Sequence, residues 1–427
     1  MRRINLQSFL LIGWTAWTLS AQKPPAATMP DTVTISQAVQ EAIDHNLGLL
    51  AEKYNLSIAD ARIVTARLRP NPVFSAGWDY IDIAGIGFNS ENSAGPTEVN
   101  FRVDFLLERG KKRERRIEVA QDTREVAQLQ LLNTTRQLVL DVDNAFVDVL
   151  AAKESLQLAR ENLKAFEGIV EVNAARVRAG DLAQVELVRS RVAELQFRNA
   201  VRQAESRLRL AGNRLQSLMG RTTASPGFDV EGTLRRETAL LTQDELQKQA
   251  LELRPDLQAL RRDAARSLAD VRLQLAQGKV DYTVGTEYHR QYGYVQASGL
   301  GVFFSTPLPV FNRNQGEIER ARREQEQIQM RIRAARAGVE VEVRNAWVQY
   351  DTSRELLETI ERDLLAQAQD VRNTMEYSYR RGEASLVEFL DAQRAFNDAR
   401  QSYNDARADY ARSLYLIDSI SGKAVNP

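Results

Sequence analysis

Hydrophobic positions recur every seven residues along two long stretches of this chain, and neither stretch contains a proline. The prolines fall at 24, 25, 30, 70, 72, 96, 226, 255, 307, 309 and 427, which leaves residues 97–225 and 310–426 free of them. Helix interiors exclude proline, which lacks the N–H and collides with the preceding turn, so both stretches read as long helices. In the first, Val142, Val149, Leu156, Leu163, Val170 and Val177 fall seven apart, interleaved with Leu138, Ala145, Ala152, Ala159 and Phe166. That is a coiled-coil seam. The second stretch repeats it with Val343, Tyr350, Leu357, Leu364 and Val371. It then adds a stricter seam of Phe389, Phe396, Tyr403, Tyr410 and Ile417, faced by the small residues Ala392, Ala399 and Ala406. A helix over residues 111–179 would be a rod roughly 100 Å long. Gly180 can take the positive φ that ends it, and a return helix over about 182–218 is stopped by Gly220. Each half therefore predicts one helical hairpin with unequal arms.

Between a shorter helix, about 35–68, and the long rod the period changes to two. Phe74, Ala76, Trp78 and Tyr80 share one face of a strand, and Phe101, Val103 and Phe105 alternate with Arg102 and Asp104. The connection, 85–96, is rich in Gly, Asn and Ser, as an exposed hairpin loop is. A second pair follows in Tyr282-Thr283-Val284-Gly285-Thr286-Glu287-Tyr288 and Leu300-Gly301-Val302-Phe303-Phe304-Ser305. Four such strands, aromatic or aliphatic on one side, suit a transmembrane barrel wall or a soluble hairpin packed on a helix. Four strands cannot close a barrel. In lipid, several chains would have to share one wall, because an open edge leaves backbone groups unpaired.

The chain is written twice. Val142-Asp143-Asn144-Ala145-Phe146-Val147 returns as Val343-Arg344-Asn345-Ala346-Trp347-Val348, 201 positions on (346 minus 145), and Gly180 returns as Gly382, 202 positions on. A period this long exceeds that of solenoid repeats, so each half is a complete structural unit. The domain plan is a signal segment at 1–21, an N-terminal tail at 22–34 and a first repeat at 35–220. A linker at 221–243, a second repeat at 244–421 and a C-terminal tail at 422–427 complete it. The signal reading rests on Arg2 and Arg3 ahead of an apolar run from Phe9 to Trp17, then Ser20 and Ala21.

Composition narrows the function by exclusion. Lys and Arg together number 57, as do Asp and Glu, so no bulk field steers the protein toward nucleic acid. With no cysteine there are no disulfides, thiolate metal sites or lipid-anchored N-terminal Cys. His45 and His289, the only histidines, are too far apart in sequence to suggest a metal site. No phosphate loop, nucleophile elbow or Cys/His pair appears, so neither an enzyme nor a cofactor is expected. The run Arg109-Gly110-Lys111-Lys112-Arg113-Glu114-Arg115-Arg116 reads as a basic collar near lipid phosphates or as a plain solvated helix start.

Taken together, these features resemble the outer membrane efflux protein (TolC-like) family over essentially the whole mature length. The most specific match is Tyr379-Arg380-Arg381-Gly382-Glu383-Ala384-Ser385-Leu386-Val387-Glu388-Phe389-Leu390-Asp391-Ala392, which is similar to the family's hairpin tip and following helix. Ser305-Thr306-Pro307-Leu308-Pro309-Val310-Phe311-Asn312-Arg313-Asn314-Gln315-Gly316-Glu317-Ile318 is similar to the heavy-metal, CzcC-like branch, although channels for organic solutes share much of it. The resemblance implies a mainly α protein with transmembrane β: coiled-coil hairpins forming an α-barrel, and four strands per protomer completing a trimeric twelve-stranded outer-membrane β-barrel. It implies a homotrimer in outer-membrane lipid, most of each chain in the periplasm, working with a periplasmic adaptor and an inner-membrane efflux transporter. Glu388 and Asp391 match the family's acidic gate positions, and three-residue spacing puts them on one helix face. Glu186 and Tyr379 resemble its closing network, where a phenol donates to a carboxylate; Ala384 replaces the basic partner. The docking tips would be Arg178, Gly180 and Asp181 with Arg380, Gly382 and Glu383. Two alternatives stay open: the acids as a solvated helix face, and the whole as a soluble periplasmic scaffold or adaptor without a pore.

Overall fold

The computed structural model describes residues 32–83, 85, 97–223, 225, 227–237, 242–292 and 297–422. The expected signal segment, most of the N-terminal tail, nearly all of the 85–96 loop and residues 423–427 lie outside them. The first repeat comprises β1 (Thr32–Val33), α1 (Ile35–His45), α2 (Leu47–Arg67), β2 (Val73–Asp79), β3 (Glu98–Leu107), α3 (Lys112–Ala179) and α4 (Gln184–Leu218). The second comprises β4 (Asp229–Val230), α5 (Gln243–Leu253), α6 (Pro255–Gln277), β5 (Tyr282–Gln291), β6 (Ala297–Ser305), α7 (Gln315–Thr359), α8 (Leu365–Arg381) and α9 (Leu386–Ser421). A π-helical turn, Ile360–Leu364, joins α7 to α8.

The duplication extends to the first helix of each repeat, where the domain plan begins them. α1 and α5 each span 11 residues and open on a capping box, Thr34 with Gln37 and Thr242 with Glu245. Their buried positions Ala38, Ala42 and the following Leu49 correspond to Leu246, Ala250 and Leu257, each 208 residues on (246 minus 38). The single helix expected at 35–68 is two helices. Asn46 leaves the helical region at ψ 118°, and its side-chain oxygen accepts the Leu49 N–H at 3.0 Å, capping α2.

Two cores form around matching seam positions, and α9 contributes Ala408 and Ala411 to the first of them. Val142, Ala145 and Val149 of α3 pack with α1, α2 and Leu215 and Met219, while Val343, Ala346 and Tyr350 of α7 pack with α5, α6 and α9. The α9 seam is as expected: Phe389, Tyr410 and Ile417 are buried, with Ala392, Ala399 and Ala406 buried beside them. The end of the expected N-terminal tail and the expected linker meet as a parallel pair, Thr32 opposite Asp229 and Val33 opposite Val230. Lys153 of α3 pins this pair through Asp229 at 2.7 Å.

One seam departs from expectation. Leu364 and Val371 are 44% and 50% exposed, not buried. A π-helical turn accommodates one residue more than an α-turn does, so the inward face moves from Tyr350 and Leu357 to Leu365, Arg372 and Tyr379, which are partly or fully buried. The extra residue matches the change in repeat offset from 201 at Ala346 to 202 at Gly382. α3, without a π-helical turn, keeps Leu163, Val170 and Val177 half-buried.

β2, β3, β5 and β6 form one antiparallel sheet in that order. Register sorts its side chains. Phe74, Ala76 and Trp78 lie beside Val103, Phe101 and Val99; the same row continues through Thr286, Tyr288 and Arg290 to Val302, Leu300 and Ser298. With Phe105, Val284 and Phe304, this face is almost wholly apolar. The opposite face carries Asn100, Arg102, Asp104, Glu287 and His289, and Arg102 stacks over Phe303 at 4.4 Å. β2 stops at Asp79 because Tyr80 turns to φ 54°. Phe74, Leu300, Val302 and Phe304 are all well exposed.

Within the basic run at the start of α3, Lys112 turns inward while Arg109 and Lys111 are exposed. Lys112, only 5% exposed in its side chain, pairs with Asp281 at 2.7 Å, and the same carboxylate accepts the Arg109 N–H at 2.8 Å. Arg116 pairs with Glu108 and Arg113 donates to the Arg67 carbonyl at 2.7 Å. These cations clamp sheet to helices. They stabilise the junction at which strand becomes rod.

Candidate functional site

At the end of the molecule remote from the sheet, both hairpins turn by the same device. Gly180 (φ 86°) and Gly382 (φ 82°) adopt the left-handed conformation open to glycine. Asp181 N–H reaches Arg176 O at 2.9 Å and Gly180 N–H reaches Val177 O at 3.1 Å; Glu383 to Ser378 and Gly382 to Tyr379 repeat the pattern at 2.9 and 3.0 Å. This is the Schellman motif, which satisfies the last carbonyls of each outgoing helix. Arg178, Gly180, Asp181, Arg380, Gly382 and Glu383 are all exposed. The turns leave them at the surface with their backbones already satisfied.

Just behind the turns the two hairpins lock together. Phe197, Phe166, Phe389 and Tyr379 form a run of rings with centroids 4.9, 6.5 and 5.6 Å apart, packed with Ile169, Ala193 and Leu386. The Tyr379 hydroxyl donates to Asn173 Oδ1 at 2.8 Å. Burial pushes the phenol pKa above its usual value, so it remains a donor at neutral pH. The resemblance implied a carboxylate acceptor; within one protomer the acceptor is an uncharged amide. Asn173 has no solvent exposure, and its Nδ2 has no hydrogen-bond partner among the described residues.

The acidic positions divide into distinct environments. Glu388 is the third residue of α9 and closes a capping box: its Oε2 accepts from Ser385 N at 2.7 Å and from Ser385 Oγ at 2.8 Å. Those two bonds hold its carboxyl below the ordinary glutamate range. Glu186 holds the corresponding place in α4, but Ala183 offers no cap there, and the carboxylate instead pairs with Arg189 at 2.7 Å. Asp391 has a side chain 65% exposed and only a long contact, 3.4 Å, to Arg394. The structure thus brings Glu388 and Asp391 to one exposed face, places Tyr379 in the buried core, and shows a structural task for Glu388. The Ser385-x-x-Glu388 pattern signals that cap in sequence. Asn173 gave no comparable signal, because its role depends on a partner 206 residues away.

Among the described residues no cluster of His, Asp and Glu could hold a metal ion, and no helix is long and apolar enough to cross a membrane. A family model for outer membrane efflux protein matches residues 38–221 and 246–423, one match in each repeat. The chain is similar to cobalt-zinc-cadmium resistance protein CzcC of Cupriavidus metallidurans, 27% identical over 85% of this chain and 83% of that protein. Among solved structures it resembles the outer-membrane channel OprN, with a TM-score of 0.76 at 18% identity over 92% of this chain and 91% of that one. The Campylobacter jejuni CmeC outer membrane channel has a TM-score of 0.77 at 13% identity, covering 99% and 94%.

Proposed function

Because the chain belongs to the outer membrane efflux protein family, and is thereby the outer-membrane channel component of a tripartite efflux system, we propose that three copies join their strands into one twelve-stranded barrel whose helical hairpins continue as a periplasmic tunnel. One observation carries this reading: a four-stranded sheet whose outer strands β2 and β6 have, among the described residues, no further strand beside them and whose apolar face is exposed. In a bilayer each unpaired backbone group costs several kcal/mol, and closure through further copies removes the cost. A soluble scaffold would leave that same face in water.

Residues 1–21 serve as the export signal in this reading, and two repeats flank the 221–243 connection. Glu388 and Asp391 ring the tunnel's narrow end in threefold symmetry, attracting cations; Glu186 and Tyr379 belong to the structure that holds it closed. The tips at Arg178, Gly180 and Asp181 and at Arg380, Gly382 and Glu383 meet a periplasmic adaptor, and an inner-membrane transporter supplies the energy. The channel is passive and has neither catalytic residues nor a cofactor. Its cargo is metal cations, a reading supported by the likeness to cobalt-zinc-cadmium resistance protein CzcC and by the segment 305–318.

Purified protein in planar bilayers, together with a gene deletion scored on metal and organic panels, tests both levels. Conductance from a trimer and sensitisation to divalent metals are expected. A monomer without conductance would overturn the channel architecture, whereas sensitisation to organic solutes alone would overturn only the metal cargo.

A further inference from the structure

On the apolar face of the sheet, among the described residues, Arg290 is the single charged side chain. Register fixes its side: it lies between Val99 of β3 and Ser298 of β6, in the row that alternates with the polar face. Tyr288 and Tyr292, two residues to either side, share this direction. The guanidinium lies 5.1 Å from the centre of the Tyr292 ring, and the Tyr288 hydroxyl donates to Ser298 Oγ at 3.1 Å. Arg290 is exposed and makes no ion pair with any described carboxylate. The nearby acids Asp79, Glu98 and Glu287 alternate onto the other face.

Depth along the strand says what covers this cation. The helices leave the sheet at the Leu107, Tyr282 and Ser305 end, so Arg290 lies at the end facing the exterior. It is eight residues beyond Tyr282 (290 minus 282), roughly 27 Å along the strand. A strand tilt near 40° reduces this to about 21 Å along the membrane normal, close to the ~25 Å height of a barrel's apolar band. The guanidinium therefore reaches the outer headgroup level, where an unpaired cation draws a phosphate and Arg offers a planar fork matched to its oxygens.

We propose that Arg290, bordered by Tyr288, Tyr292 and Ser298, is a binding site for the phosphate of an outer-leaflet glycolipid headgroup. The site rests on the barrel reading above, which orients the apolar face toward lipid. Rings on both sides supply apolar contact for the lipid, while the guanidinium and neighbouring hydroxyls supply hydrogen bonds.

Native mass spectrometry of the purified full-length channel, titrated with bisphosphorylated lipid A, tests the site. The comparison arms are the same lipid stripped of phosphate and inorganic phosphate at matched concentration, and each sample is also assayed for conductance. Expected are binding of the phosphorylated lipid, about tenfold weaker binding in Arg290→Gln, retention of most affinity in Arg290→Lys, and weak binding in both comparison arms. Unchanged affinity in Arg290→Gln with normal conductance would overturn the proposal alone, as would equal binding of the phosphate-free lipid by the wild-type channel. Displacement by inorganic phosphate at matched concentration would make this a free-anion site and overturn the lipid assignment. Absence of conductance from every sample would remove the barrel reading and this site with it.

Discussion

Asp143 sits in the core where α3 meets α9, facing the Asp418 carboxylate and the Arg235 guanidinium, with Tyr415 and Glu237 nearby. Burial first, then repulsion from Asp418, pushes its carboxyl up to about 7, against partial relief from Arg235. An unfolded Asp releases its proton near pH 4, so between about pH 4 and 7 the folded state holds a proton that the unfolded state has lost. Stability from this group therefore falls as pH rises through that window and levels off above it. Asp143→Asn should remove the slope and stabilise the protein at pH 8 by about 2–4 kcal/mol, read as denaturation midpoints at pH 5 and 8. Equal midpoint shifts at both pH values would refute the assignment. At the tip, Tyr379→Phe should cost about 1–3 kcal/mol by leaving the buried Asn173 amide without a partner. The double variant Tyr379→Phe/Asn173→Leu should recover much of that loss; no recovery would mean that Asn173 is not the group left stranded. Glu388→Gln retains the capping-box acceptor while removing charge, so combined with Asp391→Asn it isolates the gate's electrostatics. Cation block in single-channel recordings should weaken about tenfold with helix content unchanged. Wild-type block in that variant would return both acids to the solvated surface.

At the scale of the element, two long helices of common origin differ by one π-helical turn. Deleting Arg362, which lies within that turn and is exposed, should restore α-helix while preserving the seam on either side. Deleting Lys164 from α3, which has no such turn, rotates everything beyond it by about 100°. The first deletion should leave folded protein in the membrane near wild-type levels and the second should abolish it. Comparable abundance of both would show that the π-helical turn absorbs no extra residue. Turn glycines provide a parallel contrast. Gly180 and Gly220 share a left-handed φ, yet a Cβ at Gly180 meets nothing within 4 Å, while one at Gly220 would lie 2.2 Å from the His45 carbonyl oxygen. Backbone at that distance cannot yield as a side-chain tip can, so the second turn tolerates no added carbon without moving the α1–α2 junction.

At the scale of the whole molecule, two sheet edges unpaired among the described residues and an exposed apolar face make the isolated protomer incomplete in lipid. The chain contains no cysteine, so engineered pairs can be read without background. Single cysteines along β2, each combined with Val302→Cys in β6, should yield covalent trimers after oxidation at alternate positions, where Cβ atoms of adjacent strands approach to about 4 Å. A ladder ending at dimers, or cross-linking indifferent to position, would exclude closure through these edges.

The sequence by itself determined the features set by local periodicity. Seven-residue spacing along Val142–Val177 and Phe389–Ile417 marked the rods, alternation around Phe101 and Tyr288 marked the strands, and Gly180 and Gly382 marked the tips. Each depends on the geometry of a few consecutive residues, so it can be read without knowing what lies alongside. Tertiary structure alone decided what depends on partners distant in the chain. Strand register gathered four alternating patterns into one apolar face and left Arg290 on it. A π-helical turn rotated Leu364 and Val371 out of the seam, even though their spacing remained seven. Asp281 drew Lys112 inward, and within the protomer Asn173 gave Tyr379 an amide acceptor. Periodicity states which side chains share a face; only the packed chain determines what that face meets.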